Sequence, residues 1–267
     1  MCLLVLAWKT HPRYSLVVAA NRDEFHERPA TPLAKWPPPS DILAGRDLRA
    51  GGTWLGVDRR RRFGVVTNFR DLQRPRLEAP SRGNLIPRYL AGAEDAGEFL
   101  ALIEPHAAAY SGFNLLLADR DSLWYGCNRA SPKWASPKWA SPFRRALPPG
   151  IYGLSNQFLD TPWPKLRRVR QRFEQWLGSR STDDLFAILN DRTTVSADGE
   201  LPQTGLSAKW ERILSAPFVL HPDYGTRCST VLLLEPSGRF NLTERRFDPY
   251  GALEGESRWA LDAGEWP

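Results

Sequence analysis

The chain has little sulfur. Three cysteines, Cys2, Cys127 and Cys228, and one methionine occur in 267 residues, with no CxxC pair. An odd, scattered set of thiols suits neither a disulfide framework nor a zinc site, so a reducing, cytoplasmic setting is expected. Histidine is scarce too. His11, His26, His106 and His221 show no HxxxH or CxxCH spacing, so no metal site is expected and covalent haem has no support. Long apolar runs are lacking. The longest, Met1 to Trp8, is far shorter than the roughly 20 residues of a membrane-spanning helix, and integral membrane association is not expected. No basic region precedes that run, and Lys9, His11 and Arg13 follow it at once, so it reads as mature structure and not as a secretory signal.

An excess of one charge is present but dispersed. Thirty-six Lys and Arg against 30 Asp and Glu leave +6, and the pI is about 9.4. The basic residues gather only at Arg59–Arg62 and along 165–172. No groove-reading pattern accompanies them, so a nucleic-acid partner is not expected.

What is there is ordinary for a globular chain: 42% hydrophobic and 25% charged residues, enough for one full-sized core. We read a single domain over 1–267. Cys2–Trp8 and Ser15–Ala20 form a hairpin around the polar turn 9–13, and the first strand is apolar on both faces. Five prolines between Arg28 and Ser40 predict an irregular excursion. A second hairpin joins Thr53–Val57 to Phe63–Asn68. Further strands are expected at Phe113–Ala118, Leu123–Gly126, Ile151–Ser155, Val231–Leu234 and Phe240–Thr243.

Helices are expected at Leu85–Ala91 and Ala96–Ile103. After Asp160-Thr161-Pro162, the residues Leu166, Val169, Phe173 and Trp176 recur at helical spacing while Lys165, Arg167, Arg168, Arg170 and Arg172 take the other faces. Ser181-Thr182-Asp183-Asp184 opens another helix, Leu185–Leu189, in capping-box style. Ser131–Ala135 repeats as Ser136–Ala140, too short a period for a solenoid. It predicts an exposed loop over 130–143; a Trp-rich docking tongue built on Trp134 and Trp139 is the sharper alternative.

Two features carry chemistry. If Met1 is removed, Cys2 holds a thiol and an α-amine together, nucleophile and base on one residue; the plainer reading is a small residue at a strand start. Asn21-Arg22-Asp23-Glu24 follows the second strand, where a solvated turn is the plainer reading. A guanidinium at Arg22 would stabilise a Cys2 thiolate, and a carboxylate at Asp23 would hold the amine.

Met1-Cys2, Asn21-Arg22-Asp23-Glu24, Gly51-Gly52-Thr53-Trp54-Leu55-Gly56, Thr67-Asn68-Phe69-Arg70, Ser81-Arg82-Gly83-Asn84, Leu154-Ser155-Asn156, Leu201-Pro202-Gln203-Thr204-Gly205 and Tyr224-Gly225-Thr226-Arg227-Cys228-Ser229-Thr230 together resemble the NRDE family, also called the transport and Golgi organisation protein 2 family. That family is in turn similar to N-terminal nucleophile hydrolases of the penicillin V acylase and bile-salt hydrolase group.

The resemblance implies an α+β fold, a four-layer αββα sandwich. It makes Cys2 the nucleophile, Asp23 the carboxylate at the amine, Arg22 the arginine beside the thiol, Asn68 and Asn156 the oxyanion donors, and Arg227 a late arginine close to the nucleophile that also lowers the thiol pKa. The implied activity is hydrolysis of a C–N amide bond in a small molecule, with no cofactor. The alternative implied by relatives is haem trafficking or lipid homeostasis, with haem or a lipid held in the same pocket without catalysis. Two departures stand out. Arg22 and Asp23 are adjacent where the hydrolases separate them by two residues, so strand alternation turns one of them away from Cys2. Gln203 stands where the family pattern has Asp.

Overall fold

The computed structural model describes residues 2–70, 72, 79–129, 143–178 and 181–267. Met1 and nearly all of the loop expected at 130–143, residues 130–142 with Trp134 and Trp139, lie outside them. In chain order the strands are β1 (Cys2–Trp8), β2 (Leu16–Phe25), β3 (Ala30–Lys35), β4 (Ile42–Asp47), β5 (Leu55–Asp58), β6 (Phe63–Asn68), β7 (Phe113–Ala118), β8 (Leu123–Cys127), β9 (Arg144–Ala146), β10 (Gly150–Leu154), β11 (Tyr224–Leu234), β12 (Phe240–Phe247) and β13 (Leu253–Leu261). The helices are α1 (Leu85–Ala91), α2 (Ala96–Ile103), α3 (Pro164–Trp176), α4 (Thr182–Leu189) and α5 (Ala208–Ile213). The fold is α+β, with two sheets in which every ladder is antiparallel.

The chain divides into two compact units. The first, residues up to Arg28 with Pro149–Ser155 and Leu159–Glu265, holds a six-stranded sheet in the order β10-β1-β2-β11-β12-β13. Leu3, Val5, Val17 and Val231 on one face pack against Val169 and Phe173 of α3 and Leu185 of α4. The opposite-face residues Leu4, Leu6, Val18 and Leu232 are buried as well. Burial on both sides explains the unbroken apolar runs of β1 and β2, and each such side chain contributes about 1.5–3 kcal/mol.

The second unit, Pro29–Pro148 with Asn156–Phe158 and Trp266–Pro267, holds a seven-stranded sheet in the order β3-β4-β5-β6-β7-β8-β9. Ile86 and Tyr89 of α1 and Phe99 and Leu100 of α2 share a core with Val66, Leu115 and Leu117. Phe143, the last residue of the expected loop, packs partly buried against this core.

Several expectations are corrected. The proline-rich stretch contains β3, which sits at the sheet edge, and its register shifts between Thr31 and Ala34 around Pro32. A missing N–H is tolerated there. Ser181 caps α4 without a side-chain bond, and the neighbouring Asp183 pairs with Arg245 at 2.6 Å. The capping box forms at α2, between Asp95 and Glu98. Lys165, placed on a solvated helix face by its spacing, is 1% exposed.

The Arg59–Arg62 block is engaged largely within the fold. Arg62 meets Asp58 at 2.7 Å and donates to the carbonyls of Leu90, Gly92 and Glu94, while Arg61 stacks over Trp266. Gly52 lies so close to the motif Ser81-Arg82-Gly83-Asn84 that a Cβ there would fall on the Gly83 carbonyl. The Thr53 N–H donates to that same oxygen at 3.0 Å.

Candidate functional site

In the first unit the site residues are ordered by strand register. Cys2 begins β1 opposite Arg22 of β2, and Arg22 lies opposite Cys228 of β11. Cross-strand partners share a face, so the two thiols flank one guanidinium in a single row. Arg22 and Cys228 are buried and Cys2 half-buried. The Cys2 carbonyl is held by the Ser155 hydroxyl at 2.9 Å.

The next residue of β2 turns the other way, as alternation requires. Asp23 lies with Asn21 on the side of the sheet that carries the helices. Its carboxylate accepts from Thr226 Oγ1 at 2.7 Å, and its carbonyl accepts from the Tyr224 hydroxyl at 2.9 Å. Burial raises the Asp23 pKa, against the positive charge of Lys165, which lowers it. Asn21 donates to the carbonyls of Leu189 and Pro217 at 2.8 and 3.0 Å and accepts from Ser229 at 2.6 Å. Residues 21–23 thus divide their work: Arg22 shares the face of the thiol, Asn21 ties the sheet to the end of α4 on the other face, and Asp23 is held by β11.

The expectation of an arginine-stabilised thiolate is corrected. Burial pushes the Cys2 thiol above its ordinary value and outweighs the lowering by Arg22. Desolvation disfavours the charged form more than one nearby cation favours it. Cys228 is pushed up further, by burial and by Glu244, and Cys127 up to about 11 by burial. Arg227 occupies the β-bulge between Thr226 and Cys228. Its Nη1 donates to the carbonyls of Phe25, His26 and Arg28 at 2.9, 3.0 and 3.2 Å, so it clasps the chain leaving β2.

In the second unit Asn68 and Asn156 are brought to each other. Asn156, fully buried, donates its amide to the Asn68 carbonyl at 2.8 Å, and its own carbonyl accepts from the Arg70 N–H at 2.7 Å. One of the two Asn156 amide hydrogens therefore holds backbone.

Sequence reasoning missed Ser155, Thr226, Lys165 and Glu211. Ser155 and Thr226 lie inside quoted motifs and could have been found there. Glu211 of α5 accepts from the Thr204 N–H at 2.9 Å and from its hydroxyl, bringing a carboxylate to the motif in which Gln203 replaces Asp. Lys165 had no signal, since its spacing matches the basic face. Among the described residues no three His, Cys, Asp or Glu gather to hold a metal ion, and no helix is long and apolar enough to cross a membrane.

Residues 1–249 match the family model described as Transport and Golgi organisation 2. The chain is 34% identical over 268 residues to the Transport and Golgi organization protein 2 homolog of Bos taurus, covering 92% of each. It is 31% identical over 294 residues to the Mus musculus homolog, covering 100% of this chain and 99% of that one. Among solved structures it is similar to the Caenorhabditis elegans N-acylethanolamine-hydrolyzing acid amidase ortholog, with TM-score 0.49, 11% identity, and coverage of 88% of this chain and 93% of that one. A mutant conjugated bile acid hydrolase from Clostridium perfringens gives TM-score 0.45 and 9% identity, over 97% of this chain and 92% of the other.

Proposed function

The chain belongs to the Transport and Golgi organisation 2 family, and from that premise we propose that it hydrolyses a C–N amide bond through Cys2 after removal of Met1. The observation that carries this reading is the row at the start of β1: a half-buried thiol opposite the Arg22 guanidinium, with Asp23 one position further along β2. An α-amine on Cys2 lies at that end of β1, beside the carboxylate-bearing residue.

In the proposed reaction Cys2 Sγ attacks the amide carbon and its proton passes to the α-amine. The tetrahedral intermediate collapses as the C–N bond breaks, and the leaving amine takes the proton. Water then cleaves the thioester and restores the thiol. A thiol held protonated by burial suits this order, because the proton leaves as attack begins; a neutral α-amine with an ordinary pKa near 7.7–8.0 is a competent acceptor. The resemblance gives Asn68 and Asn156 the oxyanion, a role supported by the Asn156 side-chain amide being fixed by its bond to the Asn68 carbonyl. We place the reaction in the cytoplasm, where three reduced thiols persist.

Haem carriage is the competing reading. Its support is weaker, since the burial that raises the Cys2 pKa opposes a thiolate ligand to iron. Intact mass establishes whether Met1 is absent, and a panel of N-acyl amides with the wild type and Cys2→Ser tests the chemistry. Cleavage by the wild type alone is the expected result. Cleavage by neither, with tight haem binding by both, would overturn the proposal.

A further inference from the structure

One fully buried side chain outside the quoted motifs touches both segments that carry the asparagine pair. Asn114 of β7 is 0% exposed and lies opposite Thr67 in the β6–β7 ladder. Its amide nitrogen donates to Thr67 Oγ1 at 3.2 Å and to the Gln157 carbonyl at 3.1 Å. Its oxygen accepts from the Tyr125 hydroxyl at 2.7 Å. An asparagine amide has two hydrogens, and here each goes to a different segment. Thr67 precedes Asn68, and Gln157 follows Asn156.

The same two segments meet at the Asn156-to-Asn68 bond, at the Arg70 N–H to Asn156 carbonyl bond, and at the edge-to-face contact of Phe69 with Phe158, whose ring centroids are 4.9 Å apart. Around Asn114, then, the segment 156–158 is fastened to the end of β6 by one buried amide whose orientation Tyr125 sets. Only one orientation of the amide satisfies all three partners, since the Gln157 carbonyl accepts and the flipped amide would face it with oxygen. Buried polar groups with every partner in place specify a single arrangement.

We propose that Asn114 is a positioning residue for the Asn68–Asn156 pair. Its consequence for chemistry rests on the hydrolase reading above, in which that pair stabilises an oxyanion.

The test uses two readouts on the full chain, in the wild type, Asn114→Leu and the milder Tyr125→Phe. The first is hydrogen exchange at the Arg70 N–H, whose acceptor is the Asn156 carbonyl. It should accelerate at least tenfold in Asn114→Leu and about threefold in Tyr125→Phe, with amides of Leu115–Leu117 unchanged. The second compares two reagents at Cys2. Acylation by p-nitrophenyl acetate forms an S–C bond, releases p-nitrophenolate and passes through a tetrahedral oxyanion. Alkylation by iodoacetamide displaces iodide and forms none.

In Asn114→Leu acylation should fall about 10²-fold, the scale of a lost oxyanion donor, while alkylation stays within twofold. If Asn114→Leu does not fold, Tyr125→Phe carries both readouts. Unchanged Arg70 exchange overturns the positioning role. Faster exchange with unchanged acylation overturns its catalytic consequence. If Cys2→Ser acylates as fast as the wild type, the hydrolase reading falls instead, and exchange at Arg70 alone then decides whether Asn114 holds the pair.

Discussion

Both units fasten the end of a helix to their sheet with one buried polar side chain, and they use opposite chemistry. In the first, Asn21 reaches the Leu189 carbonyl at the end of α4 and the Pro217 carbonyl. In the second, Arg62 reaches the carbonyls of Leu90 and Gly92 at the end of α1 and that of Glu94 beyond it. A neutral amide needs only hydrogen-bond partners. A buried guanidinium needs a counter-charge as well, and Asp58 supplies it, with 5% and 2% side-chain exposure for the two partners. The neutral clasp of Asn21 should therefore contribute the same stability at every pH, where the charged clasp of Arg62 and Asp58 should not.

Three substitutions or measurements sharpen the contrast. Arg62→Met should have the largest effect, a loss of about 3–5 kcal/mol at pH 8, because it leaves the buried Asp58 carboxylate with only the exposed Arg60 at 3.3 Å and takes the donor from three backbone carbonyls. Burial already pushes that carboxyl up to about 7. A carboxyl whose folded pKa exceeds its unfolded value near 3.9 favours folding most below that value, and its contribution is lost as pH rises through the folded pKa. The variant's deficit should therefore shrink at pH 4, where Asp58 is neutral in the folded protein and about half ionised in the unfolded chain. Urea midpoints at the two pH values measure it, and an equal deficit at both would break the comparison.

Asn21→Leu should cost less, about 2–3 kcal/mol from two carbonyls left unpaired, by the same amount at pH 4 and pH 8. The smallest effect concerns the thiols. Iodoacetamide should label Cys2 before Cys127 and Cys228 in the folded protein, following their exposure and the ordering of burial. The Cys2 rate should climb with pH past the ordinary thiol value near 8.5. A Cys2 rate already at its plateau by pH 7 would mean that Arg22 wins over desolvation.

Much of the architecture was legible because burial on two faces leaves an unbroken apolar run, as in Cys2–Trp8, and helices that face a core show the 3.6 period, as in Leu166 to Trp176. Strands β3, β9 and β13 were missed for the converse reason, all three lying at sheet edges, and the short β4 beyond the proline-rich stretch was missed with them. An edge strand such as Leu253–Leu261 has few buried residues, so nothing in its hydropathy separates it from a loop. At the candidate site, strand alternation foretold that Arg22 and Asp23 would part. The roles of Lys165 and Asn114 were not legible: each depends on a partner more than 40 residues away in the chain, and a single basic or amide residue carries no periodic trace of it. The Cys2 pKa failed for another reason, since charge can be read from neighbours in sequence but desolvation only from packing.

The contact between Gly52 and the Gly83 carbonyl has a consequence for mutational tolerance. Two motifs that read as separate words, 51–56 and 81–84, share one point where backbone meets backbone, and the intolerance is lopsided. A methyl at position 52 strikes an atom that every amino acid possesses, so no exchange at position 83 can make room for it. A methyl at position 83 meets the Thr53 carbonyl at 3.3 Å, a squeeze that small adjustments relieve. In a saturation library position 52 should accept glycine alone, while position 83 should admit alanine.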